Sequence, residues 1–571
     1  MAELASLGES ISTDICIMGG GIAGLTAAIT LKEKSPHLDV LIVEKATTGW
    51  AGKADRGGGI LAFLTPDDIP DDFIRFHVHN IGCFLEDQEL LSEYAHTCNS
   101  VLDYLDAWGA KLAKERDGSW KYIKTPGVDV PWGMASVELD MCRCLRKHAR
   151  KLECRFLDRT TMVDLLKEDD RVVGTIGFSI EDGGCCVVRS KATILANGSQ
   201  NYRVLPMWSP GRGDGIAAAY RAGAQMRNAE FGSFVNMVHA ASREVIFGAE
   251  DHMYNASGED ISARYRPGVQ PDICAMSAIG WYKEYLNSNG PVRIKSDENV
   301  LQAGAEVLFA SDLVWDRPAA IAFWSRLWEK GKSVEVEGAA NMPEVIPGFV
   351  GEQSPVKVDH GMATTLPGLY AVGDVSYSGS AWTGAVPSPP GRIRGTGLMN
   401  AVWSARRGAM AAAAYAAGLV EIPGVDHAQA AELKERIFAP LRGDRGVSAL
   451  DLVRAIQDAI TPVRYSNWKS EERMREALGK VLEVKGRLAD LTAADPHDLS
   501  RCNEAVSMAL CAEMFYRASL ERKESRGWFV REDYPETDNA NWLKWIVLED
   551  KDGEMSVSTE DIPMARYPIK V

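Results

Sequence analysis

The chain has 571 residues and a formal net charge of −16, with 46% apolar and 25% charged residues. At about 150 residues per domain, this length predicts three or four folded units. The composition is that of a globular protein with ample material for packed cores, and it excludes an intrinsically disordered chain. The negative charge disfavours nucleic acid and anionic membrane surfaces as partners.

Eleven cysteines are scattered along the chain. An odd number at irregular spacing disfavours a disulfide framework and indicates a reducing compartment. No pair has the Cys-x-x-Cys spacing of an iron–sulfur cluster or a structural zinc site, so we predict no metal site. The first residues lack a signal-peptide pattern and no stretch holds 18 apolar residues, which predicts a cytoplasmic protein without a membrane span.

A strand, a glycine-rich turn and a helix follow one another near the start of the chain. The apolar run at residues 14–18 precedes GGGIAG, and the following residues have helical apolar spacing. In such a turn Gly19 permits the bend, Gly21 lets the backbone approach a pyrophosphate, and Gly24 lets helix and strand pack closely. The pattern predicts a dinucleotide-binding turn; a turn kept only for packing is the alternative.

The next apolar run, VLIVEK, ends in Glu44, about twenty residues after Gly24. A carboxylate at this position can accept hydrogen bonds from ribose hydroxyls. Ile22 and Ala23 belong to the same turn and are predicted cofactor contacts. Lys45 is a further candidate contact, with a solvated surface charge as the alternative.

Two more turns follow apolar strands further along the chain. GLYAVGDVS places Gly373 and Asp374 after one strand, and KATILANGS places Asn197 and Gly198 after another. Ligands of open α/β sheets bind at the carboxyl ends of the strands. The Gly373-Asp374 turn resembles the second FAD signature of a class of flavoproteins, and Asn197-Gly198 resembles the ATG motif of the same class. Together with the first turn, this resemblance implies an FAD site assembled from distant stretches of chain, although Asn197-Gly198 alone would be an ordinary β-turn.

Four ordered motifs resemble the fumarate reductase and succinate dehydrogenase flavoprotein family, which includes the alpha subunit of adenylylsulfate reductase. They are KADRGGGI (53–60), GDGIAAAYRAGAQMRNAEF (213–231), RIRGTGLMNAVWSARRGAMAA (392–412) and ESRGWFVREDYPETDNANW (524–542). The resemblance covers nearly the whole chain. It implies further cofactor residues: Gly52, Lys53, Gly58, Gly59, Asp214, Gly397 and Leu398.

This resemblance implies an α/β fold, with a split Rossmann-like FAD-binding domain, an inserted α+β capping domain and a C-terminal helical bundle. The tail either packs internally or offers an apolar partner surface. The predicted units are 1–235 and 346–425 for the FAD-binding domain, 236–345 for the cap, 426–530 for the helical domain and 531–571 for the tail.

The resemblance also bears on the flavin linkage and the substrate. Gly52 stands where succinate dehydrogenase carries its flavin-linked histidine, so FAD is expected to be noncovalent. Arg392 stands in the place of the substrate-binding arginine, whose fork of donors matches a carboxylate; a structural ion pair is the alternative. Ser388 and Pro271 replace a histidine and the proton-donating arginine, which disfavours fumarate and succinate as substrates.

Two more residues are candidate catalytic groups. His239 is a possible acid or base because imidazole titrates near neutrality, with a packed core histidine as the alternative. Arg243 falls on a substrate-side arginine of adenylylsulfate reductase in a loose match, with a solvated surface arginine as the alternative.

The predicted activity is that of an FAD-dependent reductase or dehydrogenase that transfers hydride between flavin N5 and a small anionic substrate. A separate ferredoxin-like Fe–S subunit, soluble carrier or nicotinamide is expected to exchange electrons with it. The alternatives are an adenylylsulfate-reductase-type alpha subunit or a non-redox FAD-dependent lyase, hydratase or isomerase.

Overall fold

The computed structural model describes residues 6–57, 59–124, 131–205, 210–243, 253–265, 275–294, 322, 344–377, 396–443, 446–527 and 529–571. Its strands are β1 (Glu9–Met18), β2 (Val40–Glu44), β3 (Ile60–Phe63), β4 (Gly133–Ser136), β5 (Arg155–Asp158), β6 (Thr160–Glu168), β7 (Arg171–Ser179), β8 (Cys185–Leu195), β9 (Met226–Arg227), β10 (Phe234–His239), β11 (Met253–Tyr254), β12 (Arg293–Ile294), β13 (Val345–Gly351), β14 (Val356–Lys357), β15 (Leu369–Ala371), β16 (Ser376–Tyr377), β17 (Trp468–Lys469), β18 (Val530–Arg531), β19 (Lys544–Lys551) and β20 (Glu554–Asp561).

The α-helices surround these strands and dominate the carboxyl-terminal part. They span Ile22–Lys34, Pro70–Asn80, Gln88–Thr97, Ser100–Ala107, Met141–Lys151, Asp214–Arg221, Ser262–Tyr265, Ala275–Leu286, Thr396–Ala417, His427–Phe438, Ala449–Ile460, Val463–Ser466, Glu471–Gly486, Pro496–Glu521 and Asn539–Trp542. None of the helices in the described ranges combines the length and hydropathy needed to cross a membrane.

A seven-stranded sheet forms the centre of the amino-terminal part, in the order β5-β2-β1-β8-β7-β6, with β15 also paired to β8. The pairs β5–β2, β2–β1, β1–β8 and β8–β15 are parallel, whereas β6, β7 and β8 pair antiparallel. Strands in a parallel sheet are covered on both faces and are therefore apolar throughout. The carboxyl ends of β1, β2, β8 and β15 consequently meet along one edge.

The first helix lies against this sheet with every residue from 22 to 31 buried. Close contact begins at its first turn, where a Cβ on Gly24 would stand 1.9 Å from the carbonyl oxygen of Gly19. No side chain fits there, so glycine is required for this approach of helix to strand. The long helix Thr396–Ala417 packs across the first helix and completes that layer.

The described part of the predicted cap contains two small antiparallel pairs. Strand β10 pairs with β13, joining His239 to Val345, and β11 pairs with β12. The helix Ala275–Leu286 packs on both β10 and β13. The boundaries assigned to the cap remain predictions.

The carboxyl-terminal helices pack as a bundle in which Pro496–Glu521 contacts both Ala449–Ile460 and Glu471–Gly486. The tail after them forms the hairpin β19–β20, which joins β9, β14 and β16 in a five-stranded sheet. Trp545 is only 7% exposed, and its indole N–H donates to the carbonyl oxygen of Leu85 at 2.6 Å. Of the two alternatives for the tail, internal packing is therefore correct for this tryptophan and its strand.

An ion-pair cluster is buried where the tail meets the helical bundle. We name it the Glu524 cluster; it consists of Glu230, Arg522, Glu524 and Arg526. Arg522 donates to Glu230 and Glu524 at 2.9 and 2.8 Å, and Arg526 donates to both oxygens of Glu524 at 2.7 and 2.8 Å. All four residues are at most 3% exposed.

Lys469 lies near this cluster and is also buried. Its ammonium nitrogen has no hydrogen-bond partner in the described part of the chain and lies 4.3 Å from the centre of the Phe529 ring. Burial first, and then the charge of Arg531, lower the pKa of Lys469 to about 7, although Glu230 opposes the shift.

Candidate functional site

A cavity of about 420 Å³ opens at the edge where the carboxyl ends of β1, β2 and β8 meet. Many of the predicted cofactor residues converge on it from distant parts of the chain. Those that line it are Gly19, Gly21, Ile22, Ala23, Glu44, Lys45, Gly52, Lys53, Gly59, Asn197, Gly198, Asp214, Asp374, Gly397 and Leu398.

Two predicted cofactor residues lie just behind the wall. Gly24 packs against Gly19, and a Cβ on Gly373 would stand 3.0 Å from the Cβ of Ala23. Gly58 lies outside the described residues. Gly24 and Gly373 therefore shape the wall through close packing.

The glycine turn after β1 presents open backbone to the cavity. Gly19 has φ +116°, and a Cβ there would stand 2.4 Å from the carbonyl oxygen of Ala196. Gly21, the residue before the helix, has no atom within 4 Å of a Cβ position, and no side chain caps the helix. Uncapped amide groups at a helix N-terminus attract phosphate groups, so this turn suits a pyrophosphate.

Glu44 closes the neighbouring wall at the end of β2. Its carboxylate accepts hydrogen bonds from the amides of Gly20 and Ala46 at 2.7 and 2.8 Å. A carboxylate has about four acceptor sites, so capacity for two more donors remains. The side chain is thus fixed in place and can still accept from a ribose.

Asn197 and Asp374 provide buried oxygen atoms at the same cavity. The Oδ1 atoms of both residues have no hydrogen-bond partner in the described ranges. Buried polar atoms are nearly always satisfied in folded proteins, so orphaned atoms in a cavity wall indicate a missing ligand. Next to Asn197, Gly198 has φ +75° and open space at its Cβ position. The cavity therefore fits a polar, phosphate-bearing dinucleotide such as FAD.

A charged pair that the sequence did not reveal lies beside Asp374. Lys53 pairs with Glu352, and its nitrogen is 3.9 Å from Oδ2 of Asp374. Glu352 is 2% exposed and has φ +72°, an unusual backbone conformation for a residue with a side chain. The only available signal was an acidic residue at the end of the otherwise apolar segment PGFVGE.

A second unpredicted acid, Glu504 on the helix Pro496–Glu521, pairs with residues that line the cavity. Lys45 donates to Asp214 at 2.6 Å and to Glu504 at 2.8 Å, and Arg212 lies 3.7 Å from Glu504. Although burial disfavours the ammonium, these two carboxylates raise the pKa of Lys45. Lys45 is therefore a paired cation at the cavity wall and not a solvated surface charge.

Two of the predicted catalytic residues, His239 and Arg243, belong to the described residues. His239 is half-buried at the end of β10, with Nδ1 2.9 Å from Oγ of Ser242. Arg243 is exposed and has φ +62°. Neither lines the cavity. Arg392, Ser388 and Pro271 lie outside the described residues, so the assigned roles of all these positions remain predictions.

Comparison with known proteins agrees with this geometry. The family model for an FAD binding domain matches residues 14–243, and the model for the fumarate reductase flavoprotein C-terminus matches residues 452–571. The fumarate reductase flavoprotein subunit of Mycobacterium tuberculosis is 25% identical over 97% of this chain and 98% of its own length.

Solved structures show the same fold. A chain of E. coli quinol fumarate reductase superposes with a TM-score of 0.81 at 20% identity, over 98% of both chains. Adenylylsulfate reductase from Archaeoglobus fulgidus superposes with a TM-score of 0.75 at 21% identity, over 98% of this chain and 97% of the other. The predicted α/β fold with a C-terminal helical domain is confirmed.

The fold, the dinucleotide cavity and the matched models define an FAD-dependent oxidoreductase. More narrowly, the chain belongs to the fumarate reductase and succinate dehydrogenase flavoprotein family.

Proposed function

We propose that the chain is the catalytic flavoprotein of a reductase whose substrate is a small organic anion other than fumarate or succinate. The observation that carries this proposal is the convergence of the glycine turn, Glu44 and the orphaned oxygens of Asn197 and Asp374 on one cavity. FAD bound there supplies hydride transfer at its N5 atom.

The residues of this cavity have distinct proposed roles in holding FAD. The amides at Gly21 bind the pyrophosphate, and Glu44 accepts from the adenosine ribose. Asp374 and Asn197 accept from hydroxyl or N–H groups further along the cofactor. The position of Gly52, with no nucleophilic side chain, supports a noncovalent linkage.

The substrate assignment depends on the sequence of the catalytic segment. Arg392 supplies a guanidinium that matches a carboxylate or another planar anion. Ser388 and Pro271 are unable to reproduce the cationic and proton-donating groups of a fumarate enzyme, because neither side chain carries a positive charge. The chain therefore orients an anion through Arg392 and uses a different proton donor, for which His239 is our candidate.

Electron supply completes the proposal. Relatives of the chain are described as subunits, among them the 8-methylmenaquinol:fumarate reductase flavoprotein subunit of Wolinella succinogenes. The cysteines of this chain lack cluster spacing. We therefore propose that a separate Fe–S subunit or soluble carrier exchanges electrons with the FAD.

The test is an anaerobic titration of the dithionite-reduced protein with enoates, aromatic acids, fumarate and adenylylsulfate. Return of the oxidised flavin absorbance with an organic anion other than fumarate supports the proposal. Reoxidation by fumarate at a comparable rate contradicts the substrate assignment, and adenylylsulfate alone would favour the adenylylsulfate-reductase alternative. Product formation without any flavin redox change would favour a lyase, hydratase or isomerase.

A paired substitution tests the role of Arg392. We expect Arg392→Ala to retain FAD and to lose substrate-dependent flavin reoxidation by about 100-fold or more, because a charge-assisted bidentate contact is removed. Arg392→Lys keeps the charge without the planar fork and should recover only part of the rate. Unchanged turnover in Arg392→Ala would remove this residue from the site.

A further inference from the structure

The helix Met141–Lys151 has an unusual charge for a protein with a net charge of −16. Its sequence, MCRCLRKHARK, contains five lysines and arginines and no acidic residue. Basic residues in the last turn of a helix are favoured by the helix dipole. The dipole does not explain Arg143 and Lys147, which lie in the first two turns.

The basic side chains of this helix form one stripe that begins at an exposed tryptophan. Arg143, Lys147 and Arg150 follow the i, i+4, i+7 spacing of a single helix face. The guanidinium of Arg143 lies 4.6 Å from the ring centre of Trp50, which is 56% exposed. We call Trp50 and the side chains of Arg143, Lys147, Arg150 and Lys151 the basic stripe.

The positive charge of the stripe is only partly neutralised. Arg143 pairs with Asp55 at 3.2 Å, and the neighbouring Arg146 pairs with Asp158 at 2.6 Å. Lys147, Arg150 and Lys151 are exposed and form no ion pair with the described residues. From Arg143 to Lys151 the stripe extends about 12 Å, at about 1.5 Å per residue. The result is a compact cationic surface in which three of the four basic side chains form no ion pair with the described residues.

This surface lies directly outside the cofactor cavity. Trp50 is exposed, whereas Ala51, Gly52, Lys53 and Ala54, which follow it, line the cavity. A Cβ on Gly52 would meet the backbone of Gly21 at 3.7 Å. The short loop at residues 50–54 therefore connects the basic stripe to the cavity.

We propose that the basic stripe is the docking surface for a small acidic one-electron carrier protein, which exchanges electrons with the FAD through the loop at residues 50–54. This inference rests on the proposed function, because it concerns the electron supply of the same site. With FAD bound, two reduced carriers would each give up one electron, and protons from solvent would complete the two-electron reduction of the cofactor. Charge complementarity selects an acidic partner, and Trp50 provides an apolar contact at one end of the stripe.

The experiment is stopped-flow reduction of the FAD-loaded protein by a reduced, acidic plant-type [2Fe–2S] ferredoxin. We expect the second-order rate constant to fall steeply with ionic strength. The combined variant Lys147→Glu, Arg150→Glu, Lys151→Glu should lower that rate constant at least about tenfold at low salt and remove its salt dependence. Trp50→Ala should lower it at every salt concentration.

Matched controls separate docking from general charge effects. Arg487, Arg501 and Lys523 are exposed basic residues of the carboxyl-terminal region, and reversing all three to Glu changes the net charge equally. This control variant should keep the wild-type rate, and reduction by dithionite should be the same in all proteins. Three outcomes would overturn the proposal. The rate constant falls equally in both triple variants, it stays within twofold of wild type in the stripe variant, or the stripe variant has a changed oligomeric state.

The two proposals fail separately. If no organic anion reoxidises the flavin, the substrate assignment is wrong, while reduction by ferredoxin still reports on the docking surface. Oxidised cytochrome c is a basic one-electron acceptor, so the charge of the stripe should have the opposite effect on its rate. We expect it to reoxidise the reduced wild-type protein slowly and the stripe variant faster. Faster reaction of the wild type with this basic protein would contradict an acidic partner.

Discussion

The cofactor cavity and the Glu524 cluster both bury carboxylates, but they differ in how far their hydrogen-bonding capacity is used. Arg522 and Arg526 reach Glu230, Glu524 and several carbonyl oxygens, including those of Trp542, Lys544 and Cys83. In the cavity, Oδ1 of Asn197 and Oδ1 of Asp374 have no partner among the described residues. In the cluster, Oε2 of Glu230 also lacks a partner among the described residues, but both guanidinium groups are bound to carboxylates and carbonyl oxygens. Such a network holds the fold together, whereas a cavity wall with unpartnered oxygens is prepared for a ligand.

The largest expected effect comes from breaking the Glu524 cluster. Glu524→Gln leaves Arg522 and Arg526 buried without their shared carboxylate, which should lower the free energy of unfolding by about 3–5 kcal/mol. Urea denaturation followed by circular dichroism measures it. Glu521→Gln, at an exposed position three residues earlier, is the control and should cost less than about 0.5 kcal/mol. Equal stability of the two variants would show that the cluster is not a structural element.

In the cofactor cavity, a substitution should weaken the binding of the ligand and leave the fold intact. Asp374→Ala should weaken FAD binding by about 10–100-fold, because an acceptor at the cofactor is removed. Its far-ultraviolet circular dichroism should match wild type. Fluorescence titration of the apoprotein with FAD measures the affinity, and Asp67→Ala, in an exposed loop, serves as the control. If Asp374→Ala lowers the stability of the fold but leaves the FAD affinity of the folded protein unchanged, the assignment of Asp374 to the cofactor is wrong.

Lys469 provides a third case, because it is a buried charged group that belongs neither to the Glu524 cluster nor to the cofactor cavity. Lys469→Met should raise the free energy of unfolding by about 2 kcal/mol at pH 6, where both the folded and the unfolded wild-type chains carry the charge. Between pH 7 and the ordinary lysine value of 10.5, only the unfolded chain keeps the proton, so wild-type stability rises with pH. The advantage of the variant should shrink over that range. An advantage independent of pH, or an equal gain in the exposed Lys523→Met, would contradict this account.

Local sequence was enough to predict the parts of the site that depend on local backbone geometry. Gly19, Gly21 and Gly24 are identified by a turn whose steric requirements extend over six residues, and Glu44 by its distance from them. The Gly373-Asp374 turn could be predicted from the apolar strand that precedes it. The fold class and the cofactor were predicted from the resemblance of motifs to a known flavoprotein family, and the turns do meet at one edge of the sheet as that fold requires.

Pairs between distant segments were not predictable from one sequence. Glu352 meets Lys53 across about 300 residues, and Glu504 meets Lys45 across 459. Apart from the apolar residues before Glu352, nothing in the local sequence distinguishes these two acids from the other acidic residues of the chain, which has 79 in all. Their positions are fixed by how the helical bundle packs on the sheet, which propensity and spacing do not encode.

The five-stranded sheet of the tail has a consequence for the order in which the protein matures. Strand β16 directly follows the Gly373-Asp374 turn, and it is connected through β14 and β9 to β19 and β20, at residues 544–561. During synthesis the last of these residues emerge long after the glycine turn, so the sheet beside Asp374 remains incomplete while the ribosome is still translating. We expect stable capture of FAD to follow the synthesis of residues 544–561.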